Sequence, residues 1–360
     1  MTDLGNRAAD NAPLRDGLLG ALPQAAPQTP ATHSGQVIAL LGPPRSGSSA
    51  VMRGIACLDV YLGRDIDLRA AGPANPEGFW EDKKVQRLCE RFMAESGMQW
   101  DSLRLLTDAD FHSAEASASV AAATRIVTES LAQSPHQCWG LKNPRMARMI
   151  PVWMAAFHKA NCEDRYVITL RNPLSVAASV INGSPHRGAG AGPTHLHLIW
   201  LLHMLGAMEP LMAGKPAVIV DYDRVLAEPV KELQRIAHGL NLPASPKNQQ
   251  AMEAYGKEFL NRGLRHSVFS PDDVQKNPLV PPLVVDAYTL LLAAARDELA
   301  PASDEFRSRW RALAAQIGNL KSVFDYLDHL DRKLTRRRAV AIAFYRHMPL
   351  SLKRFVAGFI

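Results

Sequence analysis

The stretch QVIALLGPPRSGSSAVMRGIACL, residues 36–58, decides the fold. Its apolar run from Val37 to Leu41 is long enough for a strand that is buried on both faces. Gly42-Pro43-Pro44 predicts a tight turn, and apolar residues at helical spacing follow it. A strand, a tight loop and a helix in this order direct backbone N–H groups and a helix N-terminus to one point. This arrangement favours the binding of an anion.

The side chains of the loop support an anion site. Arg45 carries a guanidinium that can bind two anionic oxygens at once, and the serines that follow it are hydroxyl donors. Gly42 and Gly47 fit the glycine spacing of the Walker loop, but Ser48 stands where that loop has its lysine. From the loop alone, a nucleotide-dependent kinase and a purely structural glycine turn both stay open.

The loop resembles the 5′-phosphosulfate loop of sulfotransferases that use 3′-phosphoadenosine 5′-phosphosulfate (PAPS), whose core reads P-[KR]-S-G-[ST]-[ST]. The resemblance implies PAPS as co-substrate, no metal, and a catalytic as well as a binding role for Arg45. It implies that the following residues contact the donor: Pro44, Arg45, Ser46, Gly47, Ser48 and Ser49. Arginine at the second loop position resembles the carbohydrate-modifying branch of the family.

Composition excludes several classes. The chain has 360 residues, of which 47% are hydrophobic and 21% charged, as in soluble globular proteins. Its four cysteines form no C-x-x-C pair, which argues against a zinc ribbon or a disulfide framework and favours a reducing cytoplasm. No signal peptide or membrane-spanning run is evident. We therefore expect a cytoplasmic protein.

The net charge of +6 belongs to one end of the chain. Residues 332–360 carry eight Lys or Arg and no Asp or Glu, so the remaining residues carry −2. A nucleic-acid-binding body is therefore not expected. We divide the chain into a disordered leader (1–34), a sulfotransferase-like α/β domain (35–300), and a helical heptad segment with a basic amphipathic tail (301–360).

A second motif, Asn75-Pro-Glu-Gly-Phe-Trp-Glu-Asp82, follows the first βα unit. It is similar to the N-P-x-G-[FY]-[FW]-E-D segment that lines the acceptor pocket of many bacterial sulfotransferases. An acceptor hydroxyl must lose its proton, and a carboxylate can take it. We assign this role to Glu81, with Glu77 as the competitor. Asp82 can equally be the N-cap of the following helix.

Two further strands each end in a cationic residue. The run 137–141 leads into Lys142-Asn-Pro-Arg, which is similar to the family's W-x-x-K-[DN]-P-R and implies that Lys142 neutralises charge at the transfer site. Asn143 is the rarer alternative at its position. The run 166–170 leads into Arg171, and Ser179 lies two helical turns further along. This R-x7-S spacing is similar to the element that binds the 3′-phosphate of PAPS.

Other segments carry weaker predictions. Residues 184–193 are expected to form a loop that can gate the acceptor site. Its His186 is a candidate base, although a lone histidine in a loop is more often simply exposed. His195, His197 and His203 do not match a metal-binding spacing. Arg265 lies where sulfotransferases have a cofactor-covering loop, so we include it as a candidate for PAPS binding.

The C-terminal part offers two open pairs of interpretations. Apolar residues from Trp310 to Leu327 recur at heptad spacing, which predicts either a helix packed on its own domain or a homodimer contact through 310–327. The basic residues and apolar face of 332–360 predict contact with the inner face of the membrane or docking on a partner.

Taken together, the runs predict a doubly wound parallel α/β sheet with a C-terminal helical extension, and the resemblance implies that the fold is P-loop-like. The resemblance implies sulfuryl transfer from PAPS to a hydroxyl or amine, with a carbohydrate, a glycolipid or a small metabolite as acceptor. The Phe79-Trp80 pair favours a flat-faced acceptor such as a sugar. The alternatives are a kinase that uses ATP and a non-enzymatic adaptor that works through its C-terminal tail.

Overall fold

The architecture was determined from a computed structural model, which describes residues 33–72, 75, 77–183, 192–243, 245–260 and 268–347, with side chains as far as residue 334. Four strands form one parallel sheet in the order β2-β1-β3-β4. Their bounds are β1 (Gln36–Leu41), β2 (Cys138–Lys142), β3 (Glu163–Leu170) and β4 (Ala217–Asp221). The predicted parallel α/β fold is confirmed.

Helices cover both faces of the sheet. They are α1 (Ser48–Ile55), α2 (Lys83–Glu95), α3 (Asp108–Phe111), α4 (Ala114–Gln133), α5 (Ile150–Lys159), α6 (Pro173–Gly183), α7 (Pro193–Ala207), α8 (Glu209–Met212), α9 (Tyr222–Ala227), α10 (Pro229–Gly239), α11 (Pro246–Ala254), α12 (Pro271–Lys276), α13 (Pro282–Ala295), α14 (Asp304–Asn319) and α15 (Lys321–His347). Three 3₁₀ segments, Ala56–Leu58, Asp65–Asp67 and Pro144–Arg148, and a π turn, Tyr255–Phe259, connect some of them. No described helix has both the length and the apolarity needed to cross a membrane.

The alternation of side chains along β1 shows why the strands are apolar throughout. Val37, Ala39 and Leu41 join the larger hydrophobic core, whereas Ile38 and Leu40 join the core on the opposite face. Because successive side chains of a strand point to opposite faces, a strand with both faces covered needs apolar residues at every position. This is the pattern that the sequence shows.

The strand order also places the site. The chain runs from β1 outward to β2 and then returns across β1 to β3, so the connections from β1 and β3 depart in opposite directions. Loops that leave two neighbouring parallel strands in opposite directions open a crevice at the carboxyl ends of those strands. The loop after β1 and the residue Arg171 after β3 therefore flank the same crevice.

The C-terminal helices differ from the single heptad seam that the sequence suggested. Helix α14 ends at Asn319, so the seam is divided between two helices. Trp310, Ile317 and Phe324 are nevertheless buried in the larger core of this same chain. Residues of both helices therefore contribute to one core, although the helix is interrupted at Leu320. The segment thus packs on its own domain, and the homodimer contact through 310–327 stays a prediction.

Candidate active site

The loop after β1 approaches its neighbours so closely that two glycines are required. Gly47 has φ 85°, and a Cβ there would lie 2.1 Å from the Tyr222 ring. Gly42 has φ 146°, and a Cβ there would lie 2.3 Å from the hydroxyl of Thr169. Only glycine adopts such angles without strain and leaves room for these contacts. The glycines that fit the Walker spacing therefore set the shape of the loop.

Ser46 belongs to the internal support of the loop. Its side chain is fully buried, and its hydroxyl lies 2.8 Å from that of Thr169, which in turn donates to the carbonyl of Leu41 at 3.0 Å. Because Thr169 donates to Leu41, Ser46 is the donor of the shared hydrogen bond. The hydroxyl of Ser46 thus fixes the loop to β3, a contact that the sequence motif did not indicate.

Helix α1 presents its N-terminus at this loop. Its N-cap, Gly47, provides no side-chain hydrogen bond, and the first turn contains no acidic residue. The first N–H groups of a helix lack partners inside the helix, and the helix dipole makes this end electropositive. The N-terminus of α1 is therefore suited to an anion.

Arg45, Arg171 and Ser179 come together at the crevice from three different elements. Nε of Arg45 donates to the hydroxyl of Ser179 at 3.0 Å, and a terminal nitrogen of Arg171 donates to the carbonyl of Arg45 at 2.9 Å. The guanidinium of Arg171 also lies 5.2 Å from the centroid of the Tyr222 ring. Burial lowers the pKa of Arg45 below its usual value, although a guanidinium stays charged at neutral pH. The guanidinium groups of Arg45 and Arg171 thus lie in the same crevice, where they are partly shielded from water.

Asn172 and Pro173 explain how Arg171 and Ser179 reach the same point. The side-chain carbonyl of Asn172 accepts from the N–H groups of Leu174 and Ser175, which caps α6. Pro173 occupies the first helical position, as the sequence predicted. The amide group of Asn172 also donates to the carbonyls of Phe269 and Ser270 at 3.0 and 3.1 Å. This cap fixes the start of the helix that carries Ser179.

Lys142 and Glu81 form a buried ion pair beside α1. The lysine nitrogen lies 3.0 Å from Oε1 of Glu81 and donates to the hydroxyl of Ser48 at 3.4 Å. Both side chains are at most 4% exposed. Burial lowers the pKa of Lys142, and the nearby Glu81 carboxylate opposes this shift. Lys142 therefore links the loop after β1, through Ser48, to the segment 75–82, through Glu81.

The second oxygen of Glu81 is also occupied. It accepts from Arg69 and from the side-chain amide of Asn143, both at 3.3 Å. Asn143 uses its carbonyl to cap the 3₁₀ segment Pro144–Arg148. The competing carboxylate, Glu77, lies in an exposed turn. Of the two candidate bases, only Glu81 is thus placed beside Lys142.

A guanidinium group lies over each ring of the Phe79-Trp80 pair. The guanidinium of Arg69 lies 3.7 Å from the centroid of Phe79, and that of Arg53 lies 5.6 Å from the centroid of Trp80. The carbonyl of Phe79 accepts from the hydroxyl of Ser49. Both rings are engaged in cation–π contacts, and their preference for a flat-faced acceptor such as a sugar stays a prediction. The neighbouring Asp82 is the N-cap of α2, as the sequence allowed.

Some of the remaining residues that the sequence singled out lie within the described ranges, and others lie outside them. Pro44 is half-buried in the loop. The three histidines of α7 are engaged with backbone carbonyls: His195 with Asp101, His197 with Leu279 and His203 with Ile199. No group of residues with metal-binding geometry occurs within the described ranges. Arg265, His186 and most of the gating loop 184–193 lie outside the described residues, as does most of the tail 332–360.

Several residues that build the site were not selected from the sequence. Thr169, Asn172 and Tyr222 support the loop and the two arginines, and Arg69 binds Glu81. Of these, Asn172 had a readable signal, because Asn followed by Pro is typical of a helix start. The others depend on contacts between distant parts of the chain.

Comparisons with known proteins identify the family of the chain. A family model described as "Sulfotransferase family" matches residues 37–246, which is more than half of the chain. The chain resembles the solved structure of sulfotransferase STF9 from Mycobacterium avium, with 14% identity, coverage of 79% of each chain and a TM-score of 0.43. It also resembles the sulfotransferase domain of the Synechococcus PCC 7002 olefin synthase, with 16% identity, coverage of 81% of this chain and 98% of that one, and a TM-score of 0.37. No curated protein matches the chain.

Proposed function

This chain belongs to the sulfotransferase family, and on that premise we propose that it transfers a sulfuryl group from PAPS to a hydroxyl or amine of an acceptor. The observation that carries the proposal is the convergence of Arg45, Arg171 and Ser179 beside the N-terminus of α1. A donor with anionic groups at both its 5′ and 3′ positions needs cationic and hydroxyl groups in such a crevice. A donor without a 3′-phosphate does not need the second arginine.

The residues present fit PAPS at both ends. The electropositive N-terminus of α1, with the hydroxyl of Ser48 and the guanidinium of Arg45, suits the 5′-phosphosulfate. Arg171 and Ser179 suit the 3′-phosphate. When bound, PAPS would supply an activated sulfuryl group on a phosphate leaving group. Ser46 contributes by holding the loop rather than by offering its hydroxyl.

Lys142 is proposed to stabilise negative charge at the transfer site. Its nitrogen already contacts the hydroxyl of Ser48 in the first turn of α1, so it adjoins the proposed phosphosulfate site. Transfer of this kind depends mainly on positioning and on charge stabilisation. Burial strengthens that stabilisation because little water screens the lysine.

Glu81 is proposed as the base that takes the proton of the acceptor. Lys142, Arg69 and Asn143 now occupy most of its acceptor capacity. A shift of Lys142 away from Glu81 and toward an anion near Ser48 would free a lone pair of the carboxylate. The ion pair with Lys142 would then prevent Glu81 from accepting a proton until the donor site is filled.

The position of Arg69 bears on the chemistry of the acceptor. Because Arg69 is 36% exposed and also contacts Glu81, it can orient an acceptor that carries polar oxygens near the reacting group. We retain a carbohydrate, a glycolipid or a small hydroxylated metabolite as acceptor, and a cytoplasmic location for the reaction.

The test is calorimetric titration with 3′,5′-adenosine bisphosphate, ADP and ATP in the absence of metal. We expect the bisphosphate to bind most tightly. Arg45→Ala and Arg171→Ala should each weaken it by roughly 10- to 150-fold, because each removes a charged hydrogen bond worth about 1.5–3 kcal/mol. The matched control is Arg125→Ala, which removes an exposed arginine on α4. Preference for ATP would replace this proposal with a kinase, and the absence of any nucleotide binding would favour the adaptor.

A further inference from the structure

Helix α15 exposes an apolar face outside the active site. Among the described residues, eight large hydrophobic side chains are exposed, and four of them lie on this helix: Val323, Tyr326, Leu327 and Leu334. Counted from Val323, the other three follow after three, four and eleven residues, which places all four on one side of a helix. Tyr326 is 61% exposed and Leu334 is 53% exposed. Such a cluster on one helix is unlike the scattered apolar residues of an ordinary surface.

The net positive charge beside this face comes from the residues that follow it in the sequence. The exposed side chains from 321 to 334 include Arg332 and Lys333 but no carboxylate. Of the three aspartates in this segment, Asp331 is half-buried, Asp325 pairs with Lys321, and the buried Asp328 pairs with Arg332. Beyond them, residues 335–360 contain six further Lys or Arg and no Asp or Glu. An apolar face beside uncompensated cations is the pattern of a helix that lies on an anionic lipid surface.

The opposite side of α15 is fixed to the body of the protein. Asp328 accepts from the backbone N–H of Leu103 at 3.1 Å, and Arg332 donates to the carbonyl of Gly97 at 2.8 Å. Phe324 is buried in the main core. The helix is therefore held in one orientation, and its apolar face has no described part of this chain against it.

We propose that α15 binds the surface of an anionic membrane, with Val323, Tyr326, Leu327 and Leu334 inserted between lipids and Lys333 at the headgroups. A second copy of the chain fits the same face less well. The described stripe spans only about 17 Å of one helix, whereas a stable dimer buries about 800 Å² on each partner. Pairing two copies with their α15 helices parallel would also bring their two basic segments together, which is electrostatically unfavourable.

The test is co-sedimentation of the full chain with vesicles of phosphatidylcholine alone and with vesicles that also contain phosphatidylglycerol. We expect binding only to the anionic vesicles, and weaker binding at high salt. The double substitution Leu327→Gln with Leu334→Gln should weaken it roughly 30-fold, because two half-exposed leucines lose their burial in lipid. Lys333→Gln should weaken it by about fivefold.

The matched control is Leu279→Gln, because Leu279 is 50% exposed but lies outside α15. It should bind vesicles as the unchanged protein does, and all variants should keep the same urea midpoint. Equal binding to both vesicle types, absence of binding, or full binding by the double variant would each overturn the proposal. A dimer that the double substitution dissociates, without vesicle binding, would instead assign the face to a second copy.

Discussion

The buried pair between Lys142 and Glu81 predicts an asymmetry between the two single substitutions. Glu81 contacts Lys142 at 3.0 Å, and both side chains are almost fully buried. At an effective dielectric constant of about 20, two charges at this distance attract by about 5–6 kcal/mol before the cost of desolvation is counted. Removing one member of a buried pair costs about 3–5 kcal/mol because the other charge loses its partner.

The partners that remain decide which substitution costs more. In Glu81→Gln, the ammonium of Lys142 keeps only uncharged acceptors, the amide oxygen of the new side chain and the hydroxyl of Ser48 at 3.4 Å. We expect the full loss of about 3–5 kcal/mol in the free energy of unfolding. In Lys142→Met, the carboxylate of Glu81 keeps Arg69 and Asn143, so we expect a loss of about 1–2 kcal/mol. The double variant should resemble Lys142→Met, since no unpaired buried ammonium is left.

Urea unfolding followed by tryptophan fluorescence measures these differences. The destabilisation of Glu81→Gln should also shrink as pH rises. The unfolded chain holds the Lys142 proton to higher pH than the folded one does, because burial lowers the pKa of this lysine. Stability rises with pH wherever the unfolded state binds more protons. Equal losses in both single variants, or a double variant less stable than Glu81→Gln, would refute the reasoning.

Three further predictions concern the supports of the site and of the fold. Gly47→Ala should abolish bisphosphate binding in calorimetry and lower the free energy of unfolding by more than about 2 kcal/mol, because its Cβ would overlap Tyr222. The control is Gly192→Ala, which should change neither quantity because nothing lies within 4 Å of its Cβ. Burial lowers the pKa of His203 to about 3, so protonation favours the unfolded chain and stability should fall by about 2 kcal/mol between pH 7 and pH 5. His203→Leu should flatten this pH dependence in urea titrations, and an unchanged slope would show that other groups cause it. Asp328→Ala should lower the free energy of unfolding by about 2–3 kcal/mol in the same assay, because the buried N–H of Leu103 loses its acceptor. A loss below about 0.5 kcal/mol would show that water replaces the aspartate as acceptor.

The elements of the fold could be predicted because their signals are local. The apolar run of β1 appears in consecutive residues, and Asp82 and Pro173 stand where helices begin. Each of these signals depends on a few neighbouring side chains and on backbone geometry. The strand order was not predicted, because pairing between strands depends on packing across the whole chain.

The candidate site was predictable only as a set of unconnected motifs. The sequence placed Lys142 and Glu81 in separate segments, and no local signal showed that they form an ion pair. Arg69 was missed because its contact with Phe79 depends on the path of the loop between them. The hydrogen bond between Ser46 and Thr169 joins residues 123 positions apart, so no local signal showed that the hydroxyl of Ser46 supports the loop.

The anchoring of α15 on the segment 97–103 has a consequence for the order in which the protein is made. Asp328 follows its partner Leu103 by 225 residues, and Arg332 follows its partner Gly97 by 235. A ribosome that adds about 5–20 residues per second needs about 10–45 s to cover the distance from Leu103 to Asp328. During that interval the nascent chain holds these backbone groups without their final partners. Helix α15 therefore completes a part of the molecule that was synthesised long before it.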